Sequence, residues 1–184
     1  MFLLDVEPLD LGSDVRSVGV DLVEANENRE PARGSEAARI WTRILPLLAG
    51  EKPWALDFFS HVDRVREFCQ RHAISFREAT PRSIVVPAPQ PKELELLMGR
   101  FQSETFGTRA GGVLPETDSE LESELARRGL DAYHGAFRRY YFCAVCVFED
   151  GSLIILSEKL SAGEVIRRAR PAIGELGLKI ELPN

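Results

Sequence analysis

Apolar positions are densest between Tyr140 and Leu182, where their spacing predicts strand, tight turn, strand, helix and strand in that order. Tyr140–Phe148 is an unbroken run of aromatic, β-branched and small side chains, and Leu153–Leu156 is a second, so both read as strands. The Asp150-Gly151 pair between them predicts a two-residue hairpin turn, because both central residues of a type I′ turn need positive φ. Ser161 with Glu164 three positions on predicts a helix from Ala162 that buries Val165, Ile166 and Ala169, with Pro171 kinking it or ending its first part. Leu178, Ile180 and Leu182 alternate with Lys179 and Glu181, the pattern of a strand wetted on one side. Along the first strand of the pair, Phe142, Ala144, Cys146 and Phe148 share one face and Tyr141, Cys143, Val145 and Val147 the other. Neither set is polar, so this ribbon needs cover on both sides. The helix after Ser161 supplies one cover; the N-terminal half or a second copy of the chain supplies the other.

The same reading upstream gives strands at Phe2–Val6 and Arg16–Val23, an exposed polar loop at Ala25–Gly34, and a helix at Ser35–Ala49 stopped by Gly50. A second helix is expected from Pro53 to His72, with Leu56, Phe59, Val62, Val65 and Cys69 inward and Asp57, Arg64 and Glu67 outward. Ser83–Val86 is a short strand, Glu93–Phe101 a helix, Gly107–Pro115 a glycine-rich loop, and Thr117 with Glu120 opens a helix that Gly129 ends. Asp131–Arg139 is one more helix, leading into the central hairpin. No internal repeat is visible. The stiff Pro87-Ala88-Pro89-Gln90-Pro91 segment is the single candidate for an internal boundary, read as a crossing and not a domain linker. The expected architecture is therefore a single α+β domain: a mostly antiparallel sheet with a C-terminal β-hairpin-α-β unit, covered by helices.

Composition narrows the function without naming it. With 184 residues the chain can bury a sizeable core. Its net charge of −6 argues against general binding to nucleic acid or anionic membranes. Of the 23 basic residues 19 are Arg, the bias of a GC-rich bacterial genome. The N-terminus lacks a basic stretch and a cleavage pattern, no apolar run reaches membrane-spanning length, and Cys69, Cys143 and Cys146 are odd in number. The expectation is a cytoplasmic protein with reduced thiols.

Cys143 and Cys146 have CxxC spacing, but on a strand their sulfurs point to opposite faces, so they read as buried apolar side chains and not as a redox or zinc pair. No cofactor and no metal are expected from them. His61, with Asp57 and Arg64, and His134, with Asp131 and Arg138, read as histidines on polar helix faces. Arg167, Arg168 and Arg170 read as a helix outer face. The stretch Tyr133–Tyr141 interleaves aromatic and basic side chains, which suits a site that stacks a ring and grips an anion. Arg109, His134, Arg138 and Arg139 are the candidate ligand-binding residues, with backbone N–H groups of Gly107–Gly112 offered to the same anion. Against this stands inward packing of Tyr133, Phe137 and Tyr141 with the arginines in solvent.

Gly19-Val20-Asp21-Leu22-Val23-Glu24 resembles the first metal-binding strand of the holo-acyl-carrier-protein synthases, a branch of the phosphopantetheinyl transferases. The resemblance implies Mg²⁺ held by Asp21 and by Glu93 of Lys92-Glu93, with coenzyme A as substrate; Pro89-Gln90-Pro91 departs from the apolar or aromatic residues the family has there. The leading expectation from the residues themselves is a non-catalytic protein acting through a protein interface, first of all with a second copy of itself as a homodimer, and otherwise with another protein partner. The alternative is a small-molecule site for a phosphate- or carboxylate-bearing ligand.

Overall fold

The computed structural model describes residues 1–9, 17–112, 114–115 and 117–181, so Leu182 and Arg16, both assigned to strands above, lie outside the described residues. Among the described residues nine strands form one sheet: β1 (Phe2–Leu9), β2 (Ser17–Glu24), β3 (Trp54–Phe58), β4 (Arg77–Thr80), β5 (Ser83–Pro87), β6 (Thr105–Ala110), β7 (Phe142–Val147), β8 (Ser152–Leu156) and β9 (Lys179–Glu181). Their spatial order is β4-β5-β3-β6-β7-β8-β2-β1-β9, and every neighbouring pair is antiparallel except β1 with β9. The helices are α1 (Gly34–Ala49), α2 (Val62–Arg71), α3 (Pro91–Arg100), α4 (Ser119–Arg128), the short α5 (Tyr133–Ala136) and α6 (Ala162–Leu176). The fold is α+β, as the pattern predicts.

Three times the chain runs hairpin, helix, strand: β1-β2-α1-β3, β4-β5-α3-β6 and β7-β8-α6-β9. In each, the helix carries the chain across the sheet to a parallel strand, as α2 also does between β3 and β4. Strands running one way are followed by crossings in one direction and strands running the other way by crossings in the opposite direction. With all four helices on one side, the four crossovers share a single hand, as the common twist of the strands requires. Their apolar stripes build the main core with Leu4, Val6, Val20, Leu22, Leu56, Phe106, Phe142, Ala144, Cys146, Leu153 and Ile155. We call this side of the sheet the main face.

The central hairpin lies inside the sheet, but its cover differs from expectation. Phe142, Ala144, Cys146 and Phe148 are buried in the main core. On the second face, cover comes from the chain between β6 and β7, which crosses as α4, α5 and the flanking single turns Gly129–Ala132 and Phe137–Arg139, and not from the N-terminal half. That cover is incomplete: Cys143 is buried, while Val145 and Val147 remain partly exposed. The connection itself is a four-residue loop, since Val147 pairs with Ser152, and within it Gly151 alone has positive φ. A side chain there would strike the carbonyls of Leu22 and Ala32.

Other differences have local causes. The helix expected from Pro53 to His72 is β3 followed by α2: all five residues of Trp54–Phe58 are buried, and a strand buried on both faces loses the alternation that would betray it. The glycine-rich stretch Gly107–Ala110 is strand β6, and the chain then turns at Gly111 and Gly112, both at positive φ. The cap of α4 is Asp118, whose carboxylate accepts from Leu121 N, one position beyond Thr117. Helix α6 begins at its Ser161 cap and continues through Pro171 to Leu176. Arg168 does not lie on its outer face; its Nη1 donates to the Leu48 carbonyl at the end of α1, 2.9 Å away.

Candidate functional site

Two regions of the second face carry unusual chemistry: a buried ionic layer beneath α4, and the uncovered strands beside it. The layer begins with Gly107. Its missing side chain is where the Tyr133 ring lies, and any Cβ there would overlap the Tyr133 hydroxyl. From that position the hydroxyl donates to Asp57 Oδ2 of the neighbouring strand at 2.5 Å. Arg109, next on the same face of β6 and 0% exposed, places Nε 3.0 Å from the same oxygen. Its Nη1 donates to the Tyr140 hydroxyl at 3.1 Å and its Nη2 to Glu122 of α4 at 3.3 Å. Glu122 also takes Arg77 of β4 in a two-pronged contact. The Tyr140 hydroxyl donates in turn to Asp118, which Arg139 meets at 3.2 Å while reaching Glu120 at 2.7 Å.

Asp57, Glu122 and Asp118 thus answer the buried Arg109 and the half-buried Arg77 and Arg139, so each buried acid has a cation beside it. Burial pushes the Asp57 carboxyl above its ordinary value against the pull of Arg109 and the Tyr133 hydrogen bond. Burial would lower Arg109, but Asp57, Tyr133 and Tyr140 outweigh it and raise the guanidinium, which stays charged. The hydroxyls of Tyr133 and Tyr140 are raised, first by burial, then by the Asp57 charge for Tyr133 and the hydrogen bond to Asp118 for Tyr140. Both therefore keep their protons and act as donors that clamp α4 and α5 to the sheet.

Of the four residues singled out from sequence, the structure brings Arg109 and Arg139 into this one network, three links apart through Tyr140 and Asp118. His134 is exposed on α5, and Arg138 is exposed with its Nε 2.9 Å from Glu158. The backbone of Gly107–Ala110 is engaged with β3 and β7. Tyr133 and Phe137 are buried and Tyr141 is held between Lys52 and Arg168, the cations 4.4 and 4.9 Å from its ring. His61 lies at the start of α2 with Nε2 3.3 Å from Glu104, and Asp57 is far from the helix face assigned to it. Sequence reasoning missed Asp57, Glu122, Asp118 and Tyr140. The available signal was Asp57 itself, an acid inside the apolar run Trp54–Phe58, which demands a partner.

Cys143 and Cys146 point to opposite faces, one in each core, and burial raises both thiols well above their ordinary value. Cys69 is also raised by burial, to about 11. The proposed Mg²⁺ pair does not fit. Asp21 lies between Val20 and Leu22 of the main core and so faces the second side, whereas Glu93 caps α3 on the main side by accepting from Gln90 N at 2.7 Å. No step through a metal follows.

Beside the ionic layer, β7, β8, β2 and β1 present Val145, Val147, Ile154 and Val23, all partly exposed, in register with Ser152, Asp21 and Asp5. Antiparallel sheets that face water normally alternate apolar inward with polar outward. Here Val147, Ile154 and Val23 share the water-facing side with Ser152, Asp21 and Asp5, so the apolar side chains on it are more than alternation alone would leave. A groove of about 340 Å³ lies between α1 and α3, lined by Ala38, Thr42, Arg43, Glu95 and Met98, and one of about 300 Å³ lies at β1 and β9, lined by Leu3, Glu24, Arg29, Lys179 and Glu181. No helix among the described residues is long and apolar enough to cross a membrane. Compared with protein-family models, curated proteins and solved structures, the chain matches none.

Proposed function

We propose that this chain acts by binding another protein, and not by catalysis, through the uncovered half of its second face. The observation that carries this is the strip Val147, Ile154 and Val23, left partly exposed beyond a second core that takes in Cys143 and Leu156 and packs against Val145. A water-facing strip with that composition retains hydrophobic surface that a partner would bury. The groups best suited to chemistry support the same reading, because Asp57, Arg109, Tyr133 and Tyr140 are engaged with one another beneath α4. The sequence expectation of a protein interface is kept, and its place moves to strands β7, β8 and β2.

Hydroxyl-radical footprinting tests this without presupposing the partner. Val147 and Ile154 should be modified in the purified chain at low concentration and protected in concentrated cell extract, while exposed Leu114 is modified equally in both. Equal modification of all three residues in both samples would end the interface reading.

A further inference from the structure

We propose that the occupant of this face is a cationic, partly apolar segment of a different protein, with Asp21 as the point of charge recognition. This rests on the interface reading above and names the partner's chemistry. In the β1–β2 register Asp5 and Asp21 stand directly opposite each other on the second face, and both are partly exposed. Like charges so placed destabilise a sheet. Arg29 answers Asp5 at 2.7 Å and Glu181 at 3.0 Å from the β9 side. Among the described residues no cation pairs with Asp21. Its row on the face continues through Ser152 to Val147, with Ile154 and Val23 diagonal to it. A Lys or Arg laid along that strip would bury its alkyl stem on the valines and bring its charge to Asp21.

The same charges disfavour a second copy. A two-fold axis places a patch against itself, which here sets Asp5, Glu7, Asp21 and Glu181 against their own images. Arg29 is already committed, and among the described residues Lys179 is the other cation on this part of the sheet. The overall charge of −6 steers a cationic partner in and repels nucleic acid and anionic lipid.

The test uses a short labelled peptide of alternating Lys and Val, its Glu/Val counterpart, and the full chain at physiological salt. The Lys/Val peptide should bind. Asp21→Asn and Ile154→Ser should each weaken it by about tenfold, the scale of one lost contact, and Glu67→Gln on α2 should leave it unchanged. Asp21→Asn should also raise the melting temperature, because it removes the like-charge pair, so lost binding cannot be put down to misfolding. Equal binding of the Glu/Val peptide, equal weakening by Glu67→Gln, or no binding up to about 100 µM overturns the inference. If light scattering then finds a dimer that Ile154→Ser dissociates, the face is still an interface and only its occupant was misnamed. If neither peptide nor dimer is found and the footprint is flat, both readings fall.

Discussion

Glycine at 107 is the residue on which the second face turns, because the Tyr133 ring occupies the volume its side chain would fill. Gly107→Ala should therefore displace Tyr133 from Asp57 and cost about 2 kcal/mol or more in urea unfolding, in the range of overpacked cores. Gly135 in α5 has no atom within 4 Å of its would-be Cβ, so Gly135→Ala should be neutral or slightly stabilising by helix propensity. The thiols offer a second measurement at this scale. Cys143 and Cys146 are buried and held protonated, so neither should react with a thiol probe at pH 8 until the chain unfolds. What sequence allowed here follows from geometry: the opposed directions of Cys143 and Cys146 need only the period of a strand. Arg109 was misplaced because a strand that carries glycine and arginine toward a buried charge looks, in composition, like a polar loop.

At the scale of elements, the C-terminal half was the legible part. Its helix cap and hairpin rest on contacts within a few residues, whereas β3 and β6 are central strands whose polar side chains, Asp57 and Arg109, answer each other and are otherwise explained by Glu122 of α4, Tyr133 of α5 and Tyr140 just before β7. That dependence can be measured. Arg109→Met leaves Asp57 buried and unanswered and should cost about 3–5 kcal/mol, the range for breaking one side of a buried pair. Adding Asp57→Asn should recover a large part of that loss, giving a strongly non-additive cycle. Among the described residues Asp57 Oδ1 and Arg77 Nε are buried without hydrogen-bond partners, so the layer's net contribution to stability is smaller than its number of charges suggests. On α6 the pH dependence has the opposite origin. Arg167 and then Arg168 hold the Glu164 carboxyl down at about 2, against an ordinary value of 4.5. A lowered acid stabilises above its unfolded value and loses that contribution as pH falls through the folded one. Glu164→Gln should therefore melt lower than wild type near pH 6, and the gap should close as pH falls toward 2.

At the scale of the whole molecule, the proline-rich segment at 87–91 lies within one interleaved sheet. Strands before it are β1 to β5 and strands after it are β6 to β9, yet in space they interleave: β4, β5 and β3, then β6, β7 and β8, then β2 and β1, then β9. Dividing the chain there would separate β3 from β6, β8 from β2 and β1 from β9, exposing edges on both products. The segment itself crosses from β5 into the Gln90 cap of α3, with Ala88 N donating to the Trp54 carbonyl at 2.8 Å. A chain threaded in this way should unfold as one unit. Fluorescence of Trp41 and Trp54, both in the N-terminal part, and far-ultraviolet circular dichroism should trace the same urea transition with one midpoint. Residues 1–88 and 89–184 expressed separately should each remain unfolded and regain structure only when mixed. Two separated midpoints, or a cooperatively folded fragment, would mean that the sheet is two sheets joined at an edge; the interleaved order predicts the reverse, because the N-terminal strands flank the C-terminal hairpin on both sides.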